Sequence, residues 1–267
     1  MHKLGAIGAG HMGMVIIDSL VCGKLASPAE VLVFEIDKRR AEQAQMRGYA
    51  IVGSETEVYT RCEYVLLAVL PQQCVSLLTD LSGCAPASPP VVISIVSGIS
   101  SAFIRQYLGE RTPVINVVPN LTLSVGAGAT AISRTPNVLD EIFLNITEVF
   151  SSLGEIAIVE EPLLKEIIAA NGCAPGYAFF FMDAVARTVA ARGVDYSLAV
   201  RMTAKAFEGA AQMALAGEKD PSALCAQVCS PGGLTVQAID HFNEHGLADT
   251  IASGIVKSIE RGYELAK

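Results

Sequence analysis

Hydrophobic residues in the first 160 positions fall into short, nearly continuous runs that are separated by amphipathic stretches. Runs of about five Val, Ile and Leu residues without polar alternation are typical of parallel strands buried on both faces. Five such strands are predicted, at 4–7, 31–34, 64–69, 91–95 and 114–118. Two later runs, 127–132 and 155–159, are candidates for the same sheet, and stretches such as 37–47 predict helices between the strands. This alternation predicts an open, doubly wound sheet built from βαβ units.

The pattern changes after Glu160, Glu161 and Pro162. Two acids and a proline suit the first turn of a helix, because proline loses no hydrogen bond there and the helix dipole favours negative charge. From this point the apolar residues follow helical spacing, in 163–192, 197–217, 235–245 and 249–267. We therefore predict two domains, an α/β domain over residues 1–160 and an all-α domain over residues 161–267.

Composition narrows the functional classes. Apolar residues make up 51% of the 267 residues and charged residues only 17%, against a usual value of about 25% charged. That balance excludes a disordered chain and indicates that some surface is buried against another subunit. The net charge is −8, and neither half of the chain is basic. Nucleic acids and anionic membrane surfaces are therefore not expected as partners.

The seven cysteines are scattered and never form a C-x-x-C pair. This favours reduced thiols in a cytosolic protein over a disulfide framework or a zinc site. The apolar start of the sequence is too short for a signal peptide. The uncharged stretch 167–182 is interrupted by Asn171, Gly172 and Pro175, so it does not predict a membrane span. The expected protein is soluble and cytoplasmic.

A glycine-rich motif follows the first predicted strand and opens a helix. It reads Gly8-Ala9-Gly10-His11-Met12-Gly13, which is G-x-G-x-x-G. The first glycine allows a tight turn, the second lets a pyrophosphate approach the backbone, and the third lets the helix pack on the strand. The free N–H groups of the helix start then bind the phosphates. The motif predicts a Rossmann-type dinucleotide site formed by Gly8, Gly10, His11, Met12 and Gly13, although His11 could equally be a packing or surface residue.

An acid ends the second predicted strand. Glu35 lies 22 residues after Gly13, close to the ~20-residue spacing expected for the acid that binds the ribose hydroxyls. A carboxylate there repels the 2′-phosphate of NADP(H), so the sequence leans towards NADH. The following Lys38, Arg39 and Arg40 could bind that phosphate instead, or form a solvated helix start.

Later strand ends are expected to face the cofactor, because ligands of such sheets lie outside the carboxyl ends of the strands. These positions are Ala68, Val69, Leu70, Pro71 and Ser97.

A second glycine motif lies between two helical segments, in Cys229-Ser230-Pro231-Gly232-Gly233-Leu234-Thr235. Adjacent glycines followed by a helix start offer free N–H groups that suit a carboxylate or a phosphate. An ordinary interhelical turn is the alternative interpretation.

Together these motifs make the chain resemble the pyrroline-5-carboxylate reductase family. The C-terminal motif, preceded by Asp220-Pro221, carries the resemblance together with the N-terminal glycine motif. The remaining matches follow in order along the chain: Ala68-Val69 with Pro71, Val96-Ser97-Gly98, Pro119-Asn120, and Gly172 with Pro175 and Tyr177. The resemblance covers essentially the whole chain.

The resemblance implies a reductase that passes hydride from NAD(P)H to the imine carbon of Δ1-pyrroline-5-carboxylate and so makes L-proline. It implies a helical domain that dimerises, hence a homodimer or a dimer-based higher oligomer. The residues implied for the substrate carboxylate are Ser230, Gly232, Gly233, Leu234 and Thr235, with the Thr235 hydroxyl near the ring nitrogen as the catalytic group. The resemblance also adds Asn120 to the cofactor-binding residues.

Several positions depart from the family pattern. Leu70 replaces a lysine, Asn116 an arginine, Ala226 an acid, Leu234 a threonine, and Leu121-Thr122 replace Thr-Pro. Residues 171–177 are Asn-Gly-Cys-Ala-Pro-Gly-Tyr, where the family usually has Ser-Gly-Ser-Gly-Pro-Ala-Tyr. These changes leave open a paralogue that reduces another cyclic imine or a keto acid, or a non-catalytic NAD(P)-binding regulatory protein.

Other candidate sites are weaker. A β-hydroxyacid dehydrogenase would place a lysine and an asparagine one turn apart, whereas Lys165 and Asn171 are six residues apart and face different ways on a helix. His241 and His245 stand four apart on a predicted helix with Asp240 and Glu244 near, but a metal site needs a third ligand and a reason to lie in the core, so an exposed polar face is expected and no metal is predicted. The run 179–181 of three phenylalanines is interpreted as core or subunit interface. Ser230 lacks a Gly-x-Ser-x-Gly elbow, which argues against a hydrolase.

Overall fold

The structure, a computed structural model, describes residues 2–84 and 86–265. The chain forms two compact units. Unit 1 comprises Met1–Cys173 and Ser258–Lys267, and unit 2 comprises Ala174–Lys257. These units are defined by contacts within the chain, and the division into domains between residues 160 and 161 stays a prediction.

Unit 1 is built on one sheet. Its strands are β1 (His2–Ile7), β2 (Val31–Phe34), β3 (Ala50–Ile51), β4 (Cys62–Leu67), β5 (Val91–Ser94), β6 (Val114–Val118), β7 (Gly128–Arg134) and β8 (Gly154–Ile158). They lie in the order β3-β2-β1-β4-β5-β6-β7-β8. All neighbouring strands are parallel except β6 and β7, which are antiparallel. The predicted doubly wound sheet is confirmed, and both later runs extend it.

Helices cover both faces of this sheet. They are α1 (His11–Cys22), α2 (Lys38–Met46), α3 (Glu55–Arg61), α4 (Pro71–Ser82), α5 (Ser101–Leu108), α6 (Asp140–Ser151) and α7 (Leu164–Ile167). Three short 3-10 helices span Pro28–Glu30, Leu121–Val125 and Glu161–Leu163. One buried cluster joins α1 and α6 to the strands, and a second joins α3, α4 and α5 to them. This burial on two faces explains why the strand sequences show no polar alternation.

The seven cysteines are all free. Burial raises the pKa of the Cys62 thiol and of the Cys74 thiol to about 11 in each case. Both thiols therefore stay protonated at neutral pH and behave as small core residues.

Unit 2 is helical. Its helices are α8 (Ala174–Ala190), α9 (Tyr196–Leu215), α10 (Pro221–Val228), α11 (Leu234–Glu244) and the first part of α12 (Leu247–Leu265). The described residues after Ile158 contain no strand, which confirms the predicted all-α region. None of the described helices combines the length and the apolar character that a membrane span needs.

The predicted helical stretch 163–192 is wrong as a continuous helix. The chain leaves helical geometry between α7 and α8, where buried Asn171 donates its side-chain amide to the carbonyls of Val118 and Ala129. A Cβ on Gly172 would lie 2.9 Å from a side-chain carbon of Ile168, so this turn needs glycine. Residues 266–267 of the last predicted helix lie outside the described residues.

Glu161 connects three segments of unit 1. Its carboxylate accepts hydrogen bonds from the Ser101 N–H at 2.5 Å, from the Ser101 hydroxyl, and from the Asn116 side-chain amide at 2.8 Å. The acid therefore serves the N-terminus of α5 and strand β6, in addition to opening its own 3-10 helix as the sequence predicts. Asn116 is only 5% exposed, so water cannot replace this partner easily.

We predict that Glu161→Ala lowers the free energy of unfolding by about 2–4 kcal/mol, because three donors on the two buried residues Ser101 and Asn116 lose a charged partner. Glu161→Gln keeps the size of the side chain and should fall between wild type and Glu161→Ala. Urea unfolding curves measured at one protein concentration check this. The exposed neighbour Glu160 makes no side-chain cap hydrogen bond, so Glu160→Ala is the matched control. Equal loss in both alanine variants would contradict the role given to Glu161.

Candidate functional site

A cleft opens at the carboxyl edge of the sheet, where the strand order reverses between β1 and β4. Its volume is about 1200 Å³, which exceeds the range of roughly 300–1,000 Å³ usual for small-ligand pockets. Most of the predicted cofactor residues line it, namely Gly8, Gly10, His11, Met12, Gly13, Glu35, Ala68, Val69, Leu70, Pro71 and Ser97. The reversal point is where doubly wound sheets bind their ligands.

The three motif glycines are required for different reasons. Gly8 has φ +94°, and a Cβ there would lie 2.4 Å from the Ala68 carbonyl oxygen. A Cβ on Gly13 would lie 2.8 Å from the Gly8 carbonyl oxygen. A Cβ on Gly10 would meet no atom closer than an Arg40 nitrogen at 3.6 Å. The fold itself explains Gly8 and Gly13, whereas the space beside Gly10 is open to the cleft and fits a ligand that approaches the backbone.

The start of α1 offers unpaired N–H groups beside this space. Gly10 is the N-cap and supplies no side-chain hydrogen bond. The N–H groups of the first turn therefore have no intrahelical partner, and the positive end of the helix dipole adds to their attraction for an anion. His11 is exposed in this turn. The donor set suits a diphosphate group.

Glu35 holds the glycine turn in place. Its carboxylate accepts the Ala9 N–H at 2.7 Å and the Asp37 N–H at 2.9 Å. Of the three basic residues that follow, Arg40 lines the cleft, whereas Lys38 and Arg39 are not among its lining residues. Glu35 and Asp37 therefore share this rim of the cleft with one guanidinium, that of Arg40, and Glu55 lines the cleft as well.

The strand ends form the opposite wall. Ala68 and Val69 are half-buried after β4, and Leu70 is 65% exposed before α4. Ser97 is half-buried after β5. The lining residues Ile168 and Cys173 were not predicted, because no pattern in the sequence ties a segment after the last strand to this edge.

Asn120 lies elsewhere. It is 6% exposed and is not among the residues that line the cleft. Its amide nitrogen donates to the Asn171 carbonyl at 3.2 Å, and its amide oxygen accepts the Ala129 N–H at 3.1 Å and the Thr122 hydroxyl at 2.8 Å. In this structure the side chain stabilises the turn after β6.

The second glycine motif forms the turn between α10 and α11 in unit 2. Gly232 has φ +70°, and the Gly233 N–H donates to the Ser230 carbonyl at 2.9 Å. Gly233 is the N-cap of α11 and makes no side-chain cap hydrogen bond, so the first N–H groups of this helix are available to an anion. Leu234 is 93% exposed and Thr235 is half-buried. The substrate residues predicted from the sequence thus share one helix start.

The structure also places the two residue pairs that the sequence analysis weighed for other chemistries. Lys165 belongs to α7, whereas Asn171 lies in the turn before α8, and no single helix carries both. His241 and His245 lie at the end of α11 with Glu244, and all three are exposed.

Two family models match the chain. A model described as pyrroline-5-carboxylate reductase dimerisation matches residues 161–265, and one described as NADP oxidoreductase coenzyme F420-dependent matches residues 3–98. The chain is 28% identical to the pyrroline-5-carboxylate reductase of Escherichia coli over 99% of this chain and 98% of that protein. It is 29% identical to that of Methanosarcina acetivorans over 100% and 98%.

Solved structures agree with these relatives. The pyrroline-5-carboxylate reductase of Coxiella burnetii is 25% identical with a TM-score of 0.86, and the match covers 100% of this chain and 99% of that chain. The Plasmodium falciparum pyrroline carboxylate reductase, solved with NADP bound, has a TM-score of 0.89 at 20% identity, over 100% and 98%. The second of these likenesses concerns the fold alone. The family resemblance predicted from the motifs is confirmed.

We predict that Gly10→Ala weakens dinucleotide binding at least 10-fold without lowering thermal stability, because the new Cβ occupies the open space and makes only an ordinary contact with the Arg40 side chain, at 3.6 Å. A fluorescence titration with the cofactor measures the affinity, and thermal unfolding measures the stability. Gly83→Ala is the matched control, since a Cβ there is also tolerated, 3.7 Å from the Asp80 carbonyl oxygen, and Gly83 does not line the cleft. Unchanged cofactor affinity in Gly10→Ala would contradict the assignment of the cleft.

Proposed function

Because the chain belongs to the pyrroline-5-carboxylate reductase family, we propose that it reduces the C=N bond of Δ1-pyrroline-5-carboxylate with NAD(P)H and so forms L-proline. The enzyme is then an oxidoreductase that acts on a CH–NH bond. The observation that carries the proposal is the full-length match in sequence and fold, together with the space that Gly10 leaves open in the cleft.

The proposed cofactor residues fit a nicotinamide dinucleotide. The backbone of residues 8–13 holds the diphosphate at the start of α1, and Glu35 lies at the adenosine side of the cleft. Residues 68–71 and Ser97 form the wall against which the nicotinamide portion packs, and Asn120 contributes indirectly by stabilising the turn after β6. When bound, the reduced nicotinamide supplies the hydride.

The chain itself performs little acid–base chemistry in this proposal. The imine can arrive already protonated, so the rate enhancement comes mainly from holding donor and acceptor in the right orientation. The Gly232 and Leu234 N–H groups and the Ser230 hydroxyl are offered to the substrate carboxylate at the start of α11, while the Ser230 and Gly233 N–H groups hold the turn by donating to the Val228 and Ser230 carbonyls. The Thr235 hydroxyl orients the ring nitrogen.

A less polar cyclic imine is the second candidate substrate. Leu70 exposes 65% of its surface in the cleft and Leu234 exposes 93% at the substrate turn, where the family usually has lysine and threonine. Both side chains present carbon to a ligand instead of a charge or a hydroxyl. A panel of cyclic imines separates the two candidates.

We propose that residues 161–267 form a dimerisation domain and residues 1–160 the cofactor domain, in a homodimer or a dimer-based oligomer. The dimerisation model that matches residues 161–265 supports this. Unit 2 also leaves large apolar side chains exposed, among them Phe180 at 75%, Leu215 at 75% and Met202 at 64%. An apolar surface of this kind is usually covered by a partner.

Among the charged residues that line the cleft, Glu35 and Arg40 are the two on which the proposed cofactor preference rests. The Glu35 carboxylate disfavours a 2′-phosphate, while Arg40 would attract one. Because Glu35 is fixed by two backbone N–H groups and Arg40 is an exposed, rotatable side chain, we lean towards NADH.

We predict that Thr235→Ala lowers kcat/KM for pyrroline-5-carboxylate by roughly 10–100-fold, as expected for one oriented hydrogen bond to a charged group. Initial rates of NADH and NADPH oxidation, followed by absorbance at several substrate concentrations, give kcat/KM and check this prediction. Thr235→Ser restores the hydroxyl and should recover most of the activity, while cofactor affinity stays constant in both variants. Full activity of Thr235→Ala would show that this hydroxyl has no role in catalysis. No turnover of any imine by the wild type would contradict the proposed function itself.

Glu35→Gln removes the charge but keeps an acceptor for the glycine turn, so we predict a rise of about 10-fold in the affinity ratio of NADPH to NADH. Arg40→Ala should move the ratio in the opposite direction, because it removes the cation that a 2′-phosphate would meet. Parallel titrations with the two cofactors measure the ratio. A wild type that already binds NADPH far more tightly than NADH would show that Arg40 decides, contrary to the lean stated here.

A further inference from the structure

Three metal-ligating side chains come together at the end of α11, away from the residues assigned to the reaction. His241, Glu244 and His245 each offer one ligand atom, and these atoms lie within 4.8 Å of one another. The spacing of three and four residues places them on neighbouring positions of one helix face. Of the two acids that lie near the histidine pair in the sequence, Glu244 is the one that the structure groups with it as a third ligand.

A hydrogen bond selects the tautomer of His245. Its Nδ1 lies 2.8 Å from the His241 carbonyl oxygen. A carbonyl oxygen can only accept, so Nδ1 carries the proton and donates. In the neutral ring the lone pair then resides on Nε2, which leaves that atom as the metal ligand. Backbone support of this kind is the usual outer-shell arrangement of a metal-binding histidine.

The two imidazole rings lie close enough together for both to bind one metal ion. The centroids of His241 and His245 are 4.1 Å apart and the ring planes differ by 37°. Two ligands that bind one Zn²⁺ at about 2.0–2.1 Å lie roughly 3.4 Å apart in tetrahedral geometry. All three side chains are exposed, so rotation about their side-chain torsions can make up the difference without moving the backbone.

Local charge favours a cation. The ligands lie at the C-terminal end of a helix, which carries the negative end of its dipole. Among the described residues, no Lys or Arg forms an ion pair with Glu244, so its carboxylate is free of a competing cation. Asp240 precedes the cluster on the same helix, and Asp249 follows in the first turn of α12.

We propose that His241, Glu244 and His245 form a binding site for a divalent transition-metal ion of the Zn²⁺ class. Two imidazoles and one carboxylate match the ligand preference of zinc and leave one position for water. The ion joins the last turn of α11 to its C-cap residue and so stabilises the end of that helix. The site lies at the opposite end of α11 from Thr235, and it takes no part in the reduction.

The nearby thiols are the main rival ligands. Cys225 and Cys229 lie before α11. The pKa of the Cys229 thiol is raised, first by desolvation and second by a hydrogen bond with Cys225. A raised pKa disfavours the thiolate that would bind metal at neutral pH. A double variant, Cys225→Ser with Cys229→Ser, therefore separates a thiol site from the proposed one.

The test is a titration of the full-length protein, kept reduced with a non-chelating phosphine, with Zn²⁺ by calorimetry and with Co²⁺ by visible absorption. We expect about one equivalent of metal per chain and a Co²⁺ spectrum without a thiolate charge-transfer band. His241→Ala and His245→Ala should each weaken binding by roughly 10-fold or more, and Glu244→Gln should weaken it as well. The cysteine double variant and Glu148→Gln, an exposed helical acid of unit 1, should bind as the wild type does.

Thermal unfolding without metal serves as the folding control, because exposed side chains are expected to change stability little. Metal should raise the unfolding temperature of the wild type and not that of the double histidine variant. Absence of saturable binding to the wild type would overturn the proposal. Binding that survives the loss of both histidines, or that disappears with the two cysteines, would overturn it equally.

Discussion

Backbone atoms of the turn after β1 lie in direct contact with the end of β4, and the functional edge of the sheet depends on this close approach. The Gly8 N–H donates to the Phe34 carbonyl at 2.9 Å, and the Ala68 N–H donates to the Ile7 carbonyl at 2.9 Å. A side chain at residue 8 would meet the Ala68 carbonyl, and one at residue 13 would meet the turn itself. Substitution there would separate β1 from β4, which is the pair of strands between which the cleft opens. The start of α1 is held where its N–H groups face the cleft because nothing larger than hydrogen stands between these segments.

Most of the sheet could be predicted because a parallel strand buried on both faces has a distinctive sequence. β2 and β6 lie where the apolar runs place them, and the other main strands differ by a few residues at their ends. β3 was missed because it has only two residues, Ala50 and Ile51, and too short a run shows no pattern. The helical stretch after Leu163 was predicted without its interruption, since the bonds of the Asn171 amide to Val118 and Ala129 join segments that are far apart in sequence. Spacing along the chain carries no information on such partners.

The same limit applies to the candidate site. The glycine motif and the strand ends could be found from the sequence, because the chemistry of a helix start and the topology of a parallel sheet fix their places. The sequence could not show that Glu35 bonds to the Ala9 N–H, nor that Arg40 lines the cleft while Lys38 and Arg39 do not. Those outcomes depend on the direction of each side chain after the sheet has formed. Glu161 is a further example, since its pattern predicts a helix start of its own and its carboxylate also binds the start of α5.

The antiparallel pairing of β6 and β7 has a consequence for how the sheet can be used. Strands β1 to β6 run in one direction, whereas β7 and β8 run in the other, so their carboxyl ends emerge on the far side. The loop that follows β7 therefore starts away from the rim that receives ligands, whereas the segment after β8 returns to that rim, since Ile168 and Cys173 line the cleft. Insertions or sequence drift in the loop after β7 would alter the scaffold and leave the ligand-facing rim unaffected, whereas the same changes after β8 would reach the cleft. The reversal therefore leaves the loop after β7 constrained only by folding, while the segment after β8 is constrained by folding and by the cleft that it lines.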